Sequence, residues 1–319
     1  MKTARTLTAA RPVAKPAGFW HAVVKDFRRN KYLYLMLLPV VAYYLIFHYI
    51  PMYGAQIAFR DFVPARGIWG SEWIGFENFE DFFGGIFFWR LMRNTLAINI
   101  LDVLFGFPAP IILALLLNEL TSGRFKRVVQ TITYMPHFIS LVVVVGMLID
   151  FLARDGLVNY LLAWFGVTPV AYMQRPDLYW FIYVGSGIWQ SIGWGSIIYL
   201  AAITTIDPTL YEAAKVDGAS RLRQIWHITL PGIRPTIILL LILRVGMLMN
   251  VGYEKTILMY NPLTYQTADV ISTYVYRKGI LDANFGFSSA VGLFNSAINF
   301  VLLIIANRVS RRLSESGLW

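Results

Sequence analysis

Six apolar runs, each about twenty residues long, leave this chain little choice of surroundings. They cover residues 33–53, 93–117, 131–153, 179–203, 235–253 and 288–307. A helix needs about 20 apolar residues to cross about 30 Å of hydrocarbon. The pattern therefore predicts an all-α polytopic membrane protein with six transmembrane helices. The scarcity of charge agrees: 14% of the 319 residues are charged and 57% are hydrophobic, where a soluble domain carries roughly 25% charged residues. The chain has no cysteine, which excludes disulfides, thiolate-held metals and thiol catalysis.

The formal net charge is +10, and where the charges sit matters more than their sum. Lys and Arg crowd residues 1–31, 124–127, 215–234 and 308–312, while the alternate segments hold isolated ones such as Arg60, Arg154, Arg175, Lys255 and Arg277. Positive charge gathers on the cytoplasmic side of membrane proteins, so both termini and the loop at 204–234 are expected in the cytoplasm. Such a distribution fits a lipid boundary and speaks against nucleic acid as a partner. Residues 1–31 lack the apolar core of a cleavable signal peptide and read as a disordered basic cytoplasmic tail. Residues 32–319 read as one transmembrane domain.

The loop at 204–234 carries the most legible local structure. Asp207 followed by Pro208 reads as a helix start, with Asp at the N-cap and Pro at the first helical position. Gly218 reads as its stop, because glycine takes the left-handed conformation that closes a helix. The helix between them, about ten residues, is too short to cross a bilayer. Ser220 can cap a second helix, in which Leu222, Ile225, Trp226 and Thr229 share one face, a pattern suited to a membrane surface. Through these marks run Glu212-Ala213-Ala214-Lys215-Val216-Asp217-Gly218 and then Ile228-Thr229-Leu230-Pro231.

This E-A-A-x3-G pattern with its I-x-L-P tail resembles the EAA loop of permease subunits in binding-protein-dependent sugar ABC importers, the maltose-permease-like superfamily. The W-x-G-x-x-N-F stretch from Trp73 to Phe79, and Asn94-Thr95-Leu96, are similar to segments of that family at the second span. Residues 250–277, with Gly317-Leu318-Trp319, resemble a branch serving complex polysaccharides and their breakdown products, which includes the larger permease subunit of alginate-oligosaccharide importers. The resemblance runs from about residue 31 to the end. It implies the ABC type I importer permease fold, and transport of oligosaccharides, acidic alginate-like ones among them, across the bacterial inner membrane by alternating access. The loop would be the coupling helix that docks on an ATPase, through Glu212, Ala213, Ala214, Asp217, Gly218, Ile228, Leu230 and Pro231. The implied partners are a second EAA-type permease forming a heterodimer, two cytoplasmic ATP-binding subunits and an extracytoplasmic solute-binding protein. ATP and Mg would sit on the ATPase subunits, and this chain would bind no cofactor.

No G-x-x-x-x-G-K-[ST], H-E-x-x-H or G-x-S-x-G motif appears in the chain, so no catalytic residue or metal site is expected of it. A polar pathway is legible instead. In the fourth run Tyr183, Trp189, Gln190 and Trp194 stand among small residues, which by themselves suit close helix packing. Indole rings beside amides are a common way to hold sugars. In the sixth run Ser288, Gly292, Asn295 and Asn299 fall on one stripe, turned from lipid because amides in hydrocarbon are costly. Asn250, near the end of the fifth run, reads as a further candidate sugar contact, with Gln190, Asn295 and Asn299. Pro136 predicts a kink in the third run, and His137 beside it reads as a packed histidine. Arg244, near the bilayer midplane, needs a partner. Either Asp102 in the second run pairs with it, or its planar fork meets the carboxylate of an acidic sugar. Two other readings stay open: an ion-coupled secondary transporter, which would show internal repeats and intramembrane carboxylates, and a polytopic membrane enzyme.

Overall fold

The computed structural model describes residues 25–314. Residues 1–24 of the expected basic tail, and Gly317-Leu318-Trp319, lie outside them. The chain divides into two compact units, residues 1–55 and 56–319. The first is dominated by α1 (Lys31–Phe59), none of whose apolar window is buried. The helix loosens into a π turn at Leu45–Tyr49 just before Pro51, where the missing proline N–H removes a ladder bond.

The second unit begins at Gln56, with the last turn of α1, and soon reaches the W-x-G-x-x-N-F stretch. Arg60–Asp61 (β1) pairs antiparallel with Glu72–Trp73 (β2), with Arg60 opposite Trp73. Asn78, at the start of α2 (Glu77–Gly84), donates to the carbonyl of Ala58 at 2.9 Å and so ties the helix to the preceding chain. Phe59 stacks on Trp73, with ring centroids 5.6 Å apart, and Phe82 is buried at the centre of a phenylalanine cluster with Phe83, Phe88 and Phe294. Rings that look like a lipid-facing belt in sequence are in part the core of this module.

The long helices follow. α3 (Phe88–Glu119) carries a π turn at Asp102–Gly106. Pro108 and Pro110 cannot donate, and the ladder widens just ahead of them, with the Phe107 N–H bonding the Asp102 carbonyl at 2.8 Å. α4 (Gly123–Phe138) and α5 (Leu141–Phe151) meet at 100°, so the third span is broken rather than kinked. The reason is local: Pro136 sits in a 3-10 turn, and Ser140 accepts a bond from the Val143 N–H and starts a new helix. α6 (Tyr179–Ile203) matches its expected bounds. Its Gly193 is required by proximity, because a Cβ there would run into the Thr133 carbonyl on α4.

α7 (Pro208–Val216) is the short loop helix. α8 (Arg221–Val245) corrects the fifth span, which was expected at 235–253. The helix capped by Ser220 does not lie separately on a surface. It passes through a π turn at Ile225–Thr229 and continues as the span, the ladder widening just ahead of Pro231, whose missing N–H removes a bond as at Pro51 and Pro108. Leu222 and Trp226 are exposed whereas Thr229 is buried, so the expected common face is split. Beyond Val245 the chain turns into the short helices α9 (Tyr253–Met259) and α10 (Ile271–Tyr276), and ends in α11 (Phe285–Ser314).

Four helices (α1, α3, α8 and α11) are long and apolar enough to cross a membrane among the described residues, and five spans result if α4 and α5 count as one. α6, with 25 residues, has the length to cross at 1.5 Å per residue. Three buried clusters hold the second unit together. Ile111, Ala114, Tyr199, Ile203 and Ile233 join α3, α6 and α8. Ile98, Val145, Tyr179, Val184, Val251 and Met259 join α3, α5, α6 and α9. Phe82, Leu91, Met249, Ile271, Phe287 and Val291 bring α2, α3, α10 and α11 together.

Candidate coupling surface and polar pathway

The caps of α7 are those the residue types dictate. Asp207 accepts from the Thr209 N–H at 2.9 Å, and that bond holds its carboxyl below the usual Asp range. A lowered pKa means the cap contributes above the ordinary carboxylate range and fades as acid protonates it. Gly218 stands at φ 72°. The Ala219 N–H reaches the Ala214 carbonyl at 2.8 Å and the Gly218 N–H reaches Lys215 at 3.1 Å, the paired bonds of a Schellman stop. The helix is anchored from behind by the Tyr211 hydroxyl, 3.0 Å from Thr229 Oγ1.

On the outward face Glu212, Ala213, Asp217 and Gly218 are exposed, and Ala214 is half-buried. Ile228 and Leu230 are half-buried in α8, with Leu230 packed on the α3–α6–α8 cluster, and Pro231 is exposed on the same helix. The loop pattern thus divides into a displayed part and a part that roots it. Sequence reading missed Val216, 89% exposed, and Leu210, 51% exposed. Apolar side chains at i and i+6 beside Ala213 give this helix a greasy outer stripe, which is the signal that could have found them.

The polar residues expected of a pathway separate into three groups. Arg244 pairs with the Asp102 carboxylate. It lies in the last turn of α8, not midway along a span, while Asp102 lies in the π turn halfway along α3. The pair lines a pocket of about 390 Å³ with Gly187, Ser191 and Gly195 of α6. Asn250 is the hub of the second group. Its Oδ1 accepts from Asn295 at 2.8 Å and Asn299 at 3.0 Å, while Asn299 Oδ1 takes the Met249 N–H at 2.9 Å. The stripe on α11 therefore fastens the turn that follows α8.

In the third group one of the two tryptophans shares a face with protein. Trp194 stacks flat on His137, with centroids 4.6 Å apart, and Gln190 donates to the Ile139 carbonyl at 3.2 Å. Both brace the break between α4 and α5. Trp189 is half exposed. Three aromatic rings share a pocket with Asn295: Phe285, and Tyr253 and Tyr276 stacked 5.9 Å apart, in a cavity of about 760 Å³ that Ser272, Ser288 and Gly292 also line. Asn295 Oδ1 is buried there without a hydrogen-bond partner among the described residues. Tyr183 donates to the Gly252 carbonyl at 3.3 Å and meets Lys255, a residue sequence reading assigned to an external loop.

The comparisons with known proteins follow the same lines. Residues 106–315 match the family described as binding-protein-dependent transport system inner membrane component. The chain is 45% identical over 319 residues to Protein LplB of Bacillus subtilis, covering 100% of this chain and 98% of that one. It is also 45% identical over 292 residues to the polygalacturonan/rhamnogalacturonan transport system permease protein YteP of the same organism, covering 91% of each. Among solved structures, a chain from the crystal structure of a bacterial alginate ABC transporter, in complex with an alginate pentasaccharide-bound periplasmic protein, superimposes with a TM-score of 0.86. It is 45% identical, and the match covers 92% of this chain and 99% of that one. The chain belongs to the family of inner membrane components of binding-protein-dependent transport systems.

Proposed function

We propose that this chain is the permease subunit of an ATP-driven ABC importer for oligosaccharides, uronic-acid oligosaccharides among them, and that α7 is its coupling helix. The observation that carries the reading is a short helix capped at both ends, displaying Leu210, Glu212, Ala213 and Val216 outward between two long apolar helices. A surface of that kind suits a soluble partner. One of two cytoplasmic ATP-binding subunits would dock there, with a second EAA-type permease beside this chain and a solute-binding protein on the other side. Both termini and α7 would be cytoplasmic, in keeping with Arg221, Arg223, Arg311 and Arg312 at the same helix ends. ATP and Mg belong to the partners, and this chain moves substrate without covalent chemistry. The cavity holding Tyr253, Tyr276 and Asn295 would receive sugar, rings against its apolar faces and the amide against its hydroxyls. The similarity to the alginate and polygalacturonan transporters supports an acidic cargo.

Gly218→Val tests the coupling reading. No atom lies within 4 Å of a Cβ at Gly218, so the penalty is backbone strain alone, about 1–2 kcal/mol for a left-handed residue. The complex should assemble at normal yield while the stimulation of ATP hydrolysis by loaded binding protein falls several-fold. Gly218→Asn, which tolerates φ > 0, should retain it. Wild-type stimulation in the valine variant would remove α7 from the coupling role.

A further inference from the structure

Arg244 is held by Asp102, whereas Lys255, on α9, is a cation of a different kind. Its Nζ donates to the Tyr183 carbonyl on α6 at 2.7 Å and lies 4.5 Å from the centre of the Tyr183 ring. No carboxylate pairs with it among the described residues. The ammonium sits directly over Gly187, where a Cβ would stand 3.3 Å from Nζ. Gly187 in turn lines the pocket that holds the Asp102–Arg244 pair, Ser191 and Gly195. Gly187 thus touches both the ammonium and the cavity, although Lys255 itself is not among the residues that line it.

An ammonium has three donors and no acceptor. One carbonyl and one ring face satisfy it only in part, and an unpaired charge away from water is costly. Asp102 acts on both Arg244 and Lys255, so the three groups together carry one net positive charge. We propose that Lys255 reads the carboxylates of an acidic oligosaccharide as they pass α6, lending the pathway its preference for uronic-acid units. Arg244 and Asp102 keep the pocket's shape. This rests on the reading of the chain as an oligosaccharide importer permease and names the cargo chemistry and the residue that selects it.

The test uses the full importer in proteoliposomes, with Lys255→Gln and Lys255→Arg. Gln keeps a donor for the Tyr183 carbonyl and loses the charge, whereas Arg keeps the charge. The probes are trimers of galacturonate and of mannuronate, alongside their methyl esters, each preloaded on the binding protein. Uptake of an acidic trimer should fall about tenfold in Lys255→Gln, with the matching neutral ester within about twofold of wild type and the Arg variant largely restored. Equal loss on acidic and neutral probes would make Lys255 a brace between α9 and α6, and no loss on either would also overturn the proposal. Wild-type uptake confined to the neutral forms would overturn it while sparing the importer reading. Absence of ATP-dependent uptake of any sugar would defeat both.

Discussion

Arg244→Met alone, or Asp102→Leu alone, should remove most of the correctly folded importer from the membrane, and the two changes together should return it. Removing one partner from a buried ion pair leaves an uncompensated charge and costs about 3–5 kcal/mol, whereas replacing both by apolar groups is often neutral. The two side chains are 39% and 26% exposed, so the lower end of that range applies after screening. The pair is the tie across the π turn of α3, where Phe107 bonds back to Asp102, and α8 reaches it in its last turn. Folded yield after gentle solubilisation, followed by size-exclusion profiles, reads the effect. A double variant as poorly folded as the singles would mean that Arg244 has a structural role beyond Asp102.

Asp269→Leu should destabilise the protein as strongly. Its side chain is 1% exposed and lies between two guanidinium groups, Arg90 at 3.0 Å and Arg277 at 2.7 Å, with the Thr273 hydroxyl at 2.9 Å. Its backbone carbonyl takes the amide of Asn94, itself fully buried, at 2.8 Å. The carboxylate thus binds the start of α3 to the segment leading into α10. Without it two arginines face each other unneutralised, again a loss of about 3–5 kcal/mol. Arg90→Met should cost less, because Arg277 still engages both carboxylate oxygens. Thermal unfolding of the purified complex should show a clear drop in midpoint for Asp269→Leu and a smaller one for Arg90→Met. An unchanged midpoint in the first would show that the cluster does not hold this region together.

What could be read from sequence was local or depended on depth. Asp207, Pro208 and Gly218 set the ends of α7 through their own backbone chemistry, and the stripe on α11 followed from helical spacing. The cost of burying Arg244 alone called for a partner and left Asp102 or a substrate carboxylate as the choices, and the fold supplies Asp102. What could not be read depended on partners distant in the chain or on a choice between two local solutions. Pro136 is compatible with a kink or a break, and the Ser140 cap decides for the break. The helix capped by Ser220 reads as a separate surface helix ahead of the fifth run, yet the π turn at Ile225–Thr229 carries it on into the span. That shift moves Arg244 to a helix end and brings Lys255 back against α6. Trp194 reads as a sugar platform in sequence, and in the fold His137 takes one of its faces while the ring stays half exposed. Asn295 and Asn299 were visible as a stripe, but their common acceptor on Asn250 depends on how α8 ends.

The most direct test of the central claim is uptake of a labelled uronic-acid trimer into proteoliposomes holding this chain, its second permease and the ATPase subunits. The measurement is made with all ion gradients collapsed by ionophores. Uptake should persist, require both ATP and loaded binding protein, and fall in step with ATP hydrolysis in the Gly218→Val variant. Uptake that needs an ion gradient and proceeds without ATP or the ATPase subunits would contradict the account.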